Sequence, residues 1–131
     1  MSRISNLTFL LAVLFMASCS AASEKSSVCE IRASPSKFLN RDLELSGLAQ
    51  VHRHGTNLID PNCPGIAVAL SSPDNSEGSA SDTFFLSLAP LMAAGSTPVA
   101  VTVQGRLIEQ RGIPAYRFVV ASGSMQRKDG G

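Results

Sequence analysis

Tryptophan is absent from this 131-residue chain, and tyrosine occurs once, at Tyr116. Charge is sparse as well: 16% of residues, eleven basic against ten acidic. Each shortage argues against a class of function. Single-stranded nucleic acid is held by stacking aromatics and a cationic groove, and this chain is poor in both. Sugar recognition suffers from the same lack of aromatic rings. The three cysteines contain no C-x-x-C pair, which removes the usual redox and zinc spacings. No serine stands in G-x-S-x-G, and no glycine-rich phosphate loop is present. No apolar run reaches the ~20 residues of a stable membrane span.

What is there begins with an address. A short start, "MSRISN", carries one positive charge at Arg3 and leads into the apolar run Leu7 to Ala17. Small residues follow in "SCSAAS". This is the three-part layout of a secretory signal, so residues 1–18 are expected to be removed. Ser20-Ala21-Ala22 would suit a general signal peptidase. Met16-Ala17-Ser18-Cys19 resembles the lipobox of bacterial lipoproteins, in which the cysteine is lipidated and becomes the first residue. Leu is usual where Met16 stands. The resemblance implies a lipid anchor on Cys19, and several acyl chains there give stable attachment where one alone would be marginal. Plain secretion, or a soluble periplasmic protein, is the alternative. Loss of Arg3 leaves ten basic and ten acidic residues. A balanced exported chain has no electrostatic draw toward nucleic acid and no basic patch for an anionic membrane surface.

Export changes the cysteine arithmetic. An oxidising compartment favours disulfides. With Cys19 lipidated or discarded, Cys29 and Cys63 are the remaining pair. Their bond would close a loop of about 35 residues, worth roughly 3–4 kcal/mol in the chain-entropy model.

Residues 19–27 are small and polar and read as a flexible tether. Val28 to Ala33 suits a short helix or an edge strand, limited by Pro35. "DLELSGLAQVHRH" alternates: Leu43, Leu45, Gly47, Ala49 and Val51 share one face, and Gly47 predicts a bulge or bend. "TNLID" is a short second strand, "DPNCPG" a tight turn, and "GIAVAL" a third strand apolar enough for burial on both faces. Ser71 to Ser81 reads as an exposed loop. In "SDTFFLSLAPLMAAG" the spacing of Phe84, Leu88 and Leu91 predicts a helix, capped by Ser81 or Asp82 and kinked or divided at Pro90; a strand over "TFFLSL" is the rival. "PVAVTVQGRLIEQ" alternates again, with Val99, Val101 and Val103 on one face. "YRFVVAS" is the last strand and residues 125–131 a polar tail.

Three strands, a helix and two strands is the order of the OB-fold. The expected fold is therefore mainly β: a small five-stranded OB-like barrel over residues 28–124, with one short helix between strands 3 and 4. "VCEIRASPSKFLNRDLELSG", "HGTNLIDPNCPG", "VTVQGRL" and "YRFVVAS" also resemble small exported bacterial proteins of uncharacterised function. In those, one cysteine precedes the first strand and a second follows the phrase L-x-D-x-x-C. The resemblance covers about Val28 to Ser122 and implies an OB-like domain, with no catalytic residues attached to it.

Two constellations carry candidate chemistry. His52 and His54 stand two apart, so on a strand they share a face. With Asp60 they would form a metal site of imidazole and oxygen ligands. The alternatives are a solvent-facing pair before a turn, or general-base duty. Arg106, Arg111, Arg117 and Tyr116 lie near the last two strands and form either a polar binding patch or ordinary barrel exterior. Glu30, Asp42 and Glu44 read as surface solvation, and Phe38, Phe84, Phe85 and Phe118 as core. The expectation is a non-catalytic cell-envelope module, needing no cofactor, that binds a protein or small ligand; the alternative is a metal-binding protein or small metal-dependent enzyme centred on His52 and His54.

Overall fold

The computed structural model describes residues 23–93 and 98–126. The expected signal segment 1–18, Cys19 and residues 127–131 of the tail lie outside the described residues. The elements in order are β1 (Glu24–Ser26), α1 (Val28–Ala33), a single 3₁₀ turn (Pro35–Lys37), β2 (Asp42–His52), β3 (Gly55–Ile59), β4 (Ala67–Ser71), α2 (Ala80–Ala93), β5 (Val99–Glu109) and β6 (Tyr116–Met125).

The strands close into a barrel in the order β2-β3-β4-β6-β5, with β5 returning to β2. Within the barrel all neighbours run antiparallel except β4 and β6, which pair in parallel from Ala69 opposite Arg117 to Ser71 opposite Val119. The fold is thus mainly β, a closed five-stranded barrel of OB-like order with α2 between the third and fourth barrel strands. Among the described residues, no helix is long and apolar enough to cross a membrane.

The period-two pattern decides what faces inward. On β2, Leu43, Leu45, Ala49 and Val51 are buried, and on β5 Val101, Val103 and Leu107 join them. Leu58, Val68, Leu70, Phe118 and Val120 complete the interior of the barrel. Each side chain of this size contributes about 1.5–3 kcal/mol by leaving water. Strand β4 is buried on its inner face at Val68 and Leu70, while Ala67 and Ala69 are only half-buried.

Helix α2 presents buried Phe84 and Leu88 to the barrel, with Leu91 packed against the core. Its start differs from the expectation. Ser79, not Ser81 or Asp82, is the cap: its hydroxyl accepts from the Asp82 main-chain N–H at 3.2 Å. The Asp82 carboxylate reaches back to the Gly78 N–H at 3.0 Å, so two donors at the helix entry are satisfied. Ser81 is instead buried in the packed face. The helix also runs through Pro90 to Ala93 without division. Pro90 lies on the exposed side near the end, where water can take up the carbonyl that loses its partner.

Close approach of a neighbouring strand's main chain leaves no room for a side chain at Gly47 and at Gly105. A Cβ on Gly47 would stand 2.6 Å from the Ile59 carbonyl oxygen, where β3 crosses β2. A Cβ on Gly105 would collide with the Val119 carbonyl at the register shift between Gln104 and Gly105. There β6 places an extra residue opposite β5, and the added bend helps the sheet close.

The segment expected to be a tether contributes a strand. Glu24 to Ser26 pair in parallel with Leu43 to Leu45. They occupy the edge of β2 that β3 leaves open, since β3 pairs only with Leu48 to His52. Ser27 then caps α1, accepting from the Glu30 N–H at 3.1 Å. Strand β6 runs to Met125, and Gln126 still donates to the Ala100 carbonyl at 2.8 Å. The ordered domain therefore extends past both expected limits.

Candidate functional site

The cysteines are joined as the arithmetic requires. Cys29 in α1 and Cys63 in the β3–β4 loop form a disulfide with Cα atoms 5.7 Å apart. That loop, residues 60–66, is built from two successive turns. Cys63 N–H donates to the Asp60 carbonyl at 3.1 Å, and Ile66 N–H to the Cys63 carbonyl at 3.3 Å. The Asp60 side chain accepts from the Asn62 N–H at 2.9 Å, and Gly65 takes φ +79°. The disulfide fastens the middle of this loop to α1, which packs on the core through Val28 and Ile31.

Against this loop lies a groove of about 520 Å³. Ile59, Pro61, Pro64 and Ile66 supply apolar walls, while Gln50 and Asp60 bring polar groups. Gln50 reaches the groove because the hairpin register sets it opposite Asn57 on the outer face. Such a cleft, mostly apolar with few polar groups, is the usual form of a ligand site. Its walls are preorganised: two prolines have fixed φ, and the loop centre is covalently held.

The histidine site is not assembled as expected. His52 ends β2, but His54 falls in the turn that follows, so the shared-face rule of a strand does not apply to it. The His54 main-chain N–H donates to His52 Nδ1 at 3.3 Å, and the Asn57 amide lies 3.0 Å from His52 Nε2. Both nitrogens of His52 are thereby occupied. Asp60 is five residues beyond Gly55, the partner of His52, which puts it about 16 Å away along the strand. It stands instead beside Cys29 and Cys63, with one potential ligand atom from each of the three within 4.8 Å of the others. Among the described residues this is the one grouping of three metal-ligating types. Its two sulfurs are bonded to each other, which removes the thiolates a metal would need.

Of the basic residues near the last strands, Arg106 and Arg117 lie diagonally across the β5–β6 pairing, and Arg106 is engaged by a carboxylate. Arg106 Nε donates to Asp42 at 2.8 Å. That hydrogen bond and the guanidinium charge hold the Asp42 carboxyl below its ordinary range. The pair begins a ladder across the outer face of β2 and β5. Gln104 donates to Glu44 at 3.2 Å, and the Ser46 and Thr102 hydroxyls meet at 2.9 Å. Arg111 is exposed in the β5–β6 loop, and Arg117 is half-buried. Glu30 accepts from the Ser26 hydroxyl at 3.1 Å. Among the described residues the aromatic rings serve the interior: Phe84 and Phe118 are buried, and Phe38, Phe85 and Tyr116 pack against the core. A smaller hollow of about 270 Å³ lies beside the ladder, between Pro73, Ile108 and Val119.

No protein-family model matches the chain, and no curated protein matches it either.

Proposed function

We propose that this protein is a non-catalytic binding module of the bacterial cell envelope, exported and held to a membrane by lipid on Cys19. It engages a protein or small-molecule ligand at the groove between the 60–66 loop and the outer face of β2 and β3. The observation that carries this reading is the groove itself, walled by Ile59, Pro61, Pro64 and Ile66 and braced by the Cys29–Cys63 disulfide. A disulfide in that position also supports an oxidising compartment. The ladder around Asp42 and Arg106 and the inward use of the aromatics favour a protein or small ligand over nucleic acid.

Position-specific cross-linking in intact cells tests the reading. A photoreactive residue at Gln50 or Pro64 should give a reproducible covalent adduct by mass spectrometry. The same residue at Ser124, on the far strand β6, should not. Equal labelling at all three positions, or none at any, would overturn it.

A further inference from the structure

Strand register sorts the loops between the two ends of the barrel. Asp42, the first residue of β2, pairs with Arg106, and β5 continues past that point to Glu109. Glu109 pairs with Tyr116, so the loop Gln110–Ala115 crowns the end at which β2 begins. Strand β1 is parallel to β2, with Glu24 opposite Leu43. The chain upstream of Glu24 therefore joins the domain at this same end. The His52–Gly55 hairpin turn lies at the other.

The crowning loop carries Ile113, which is fully exposed at 101%. It is held outward by a closed turn. Gln110 N–H donates to the Ala115 carbonyl at 2.8 Å, the Gln110 side chain donates to the Pro114 carbonyl at 2.6 Å, and Gly112 takes φ +101°. An apolar side chain fixed in water is matched to a surface whose interior is apolar. Cys19 precedes Glu24 by five residues, so a lipid there would lie within about 18 Å of this end. Tethering turns a weak loop contact into an intramolecular one, and a single apolar side chain then suffices.

From this juxtaposition we infer that Gln110–Ala115 is a membrane-contact loop: Ile113 enters the lipid interface, which orients the barrel on its anchor. The inference rests on the lipid attachment at Cys19 proposed above. The absence of tryptophan makes it directly readable. Full-length protein with Ile113→Trp is extracted from membranes and reconstituted in phosphatidylethanolamine–phosphatidylglycerol vesicles. Its emission should shift to the blue and be quenched by brominated acyl chains. His54→Trp places the same reporter, with the same intrinsic liking for interfaces, at the opposite end, and its emission should stay that of an indole in water. Vesicle-bound Ile113→Trp protein whose emission is unshifted and unquenched overturns the contact while leaving the anchor intact. A blue shift in native envelopes but not in pure vesicles overturns it in favour of a protein neighbour. A chain without acyl mass on Cys19 that fails to float with vesicles overturns the anchor, and the contact with it.

Discussion

The outside of this barrel has two unlike sides. Across β2 and β5, polar side chains answer one another in register: Asp42 with Arg106, Glu44 with Gln104, Ser46 with Thr102. Across β2 and β3, at the 60–66 loop, the surface is an apolar cleft whose shape is set by prolines and a disulfide. One side uses its hydrogen-bonding capacity internally. The other keeps apolar area and a few polar groups for something else. On the function proposed here, the side that binds is the one whose rigidity has no internal partner to use it.

The largest effect expected from breaking this contrast is loss of the disulfide. Cys29→Ser combined with Cys63→Ser should lower stability by roughly 3–4 kcal/mol, read as a fall in the urea midpoint. That is a large fraction of the ~5–15 kcal/mol typical of a folded domain. Cross-linking at Pro64 should fall with it. An unchanged midpoint would mean that the turns alone hold the groove wall, and the contrast would lose its basis.

A much smaller response is expected on the ladder side. Gln104 touches Glu44 and Ser122. Gln104→Ala should cost less than about 1 kcal/mol, the upper range of a cross-strand pair, and leave labelling at Gln50 intact. If labelling at Gln50 collapses, the two sides are coupled and the division drawn between them fails.

The smallest effect belongs to Asp42, whose ion pair with Arg106 is solvent-exposed. A carboxyl depressed in the folded state stabilises above its unfolded pKa and loses that contribution as pH falls through its folded value. Acid should therefore erode the wild type slightly more than Asp42→Asn at the low end of the titration. In NMR, Asp42 should titrate below an ordinary aspartate; a midpoint in the ordinary range would show that the pair does not persist in solution.

Much of the architecture is legible in the sequence because it rests on periodic burial. The inward rows of β2 and β5, the Phe84–Leu88–Leu91 stripe of α2 and the strand-helix order all follow from side-chain alternation at fixed period. The Cys29–Cys63 bond follows from arithmetic once Cys19 is set aside. Strand β1 escapes because three parallel main-chain pairings leave no side-chain signature. The helix start falls two residues earlier than expected because Ser79 and Ser81 are equally good caps on paper, and only burial of Ser81 separates them. The shared face expected of the histidine pair depends on β2 continuing through His54, and the strand stops at His52. The groove is partly legible: "DPNCPG" declares a rigid turn, but Gln50 joins it only through hairpin register, which no local pattern states.

The short β1 pairing has a mechanical consequence. Tension applied to the chain ahead of Glu24 does not reach the barrel at one point. It is borne first by three residue pairs aligned with the pull, loaded together in shear. Should they slip, the load passes into α1, where Cys29 hands it across a covalent bond to the 60–66 loop. Force is thus divided between two distant stretches of the chain before the Asp42 end of β2 can be drawn out, so the domain can be tugged at its terminus without being unthreaded from it.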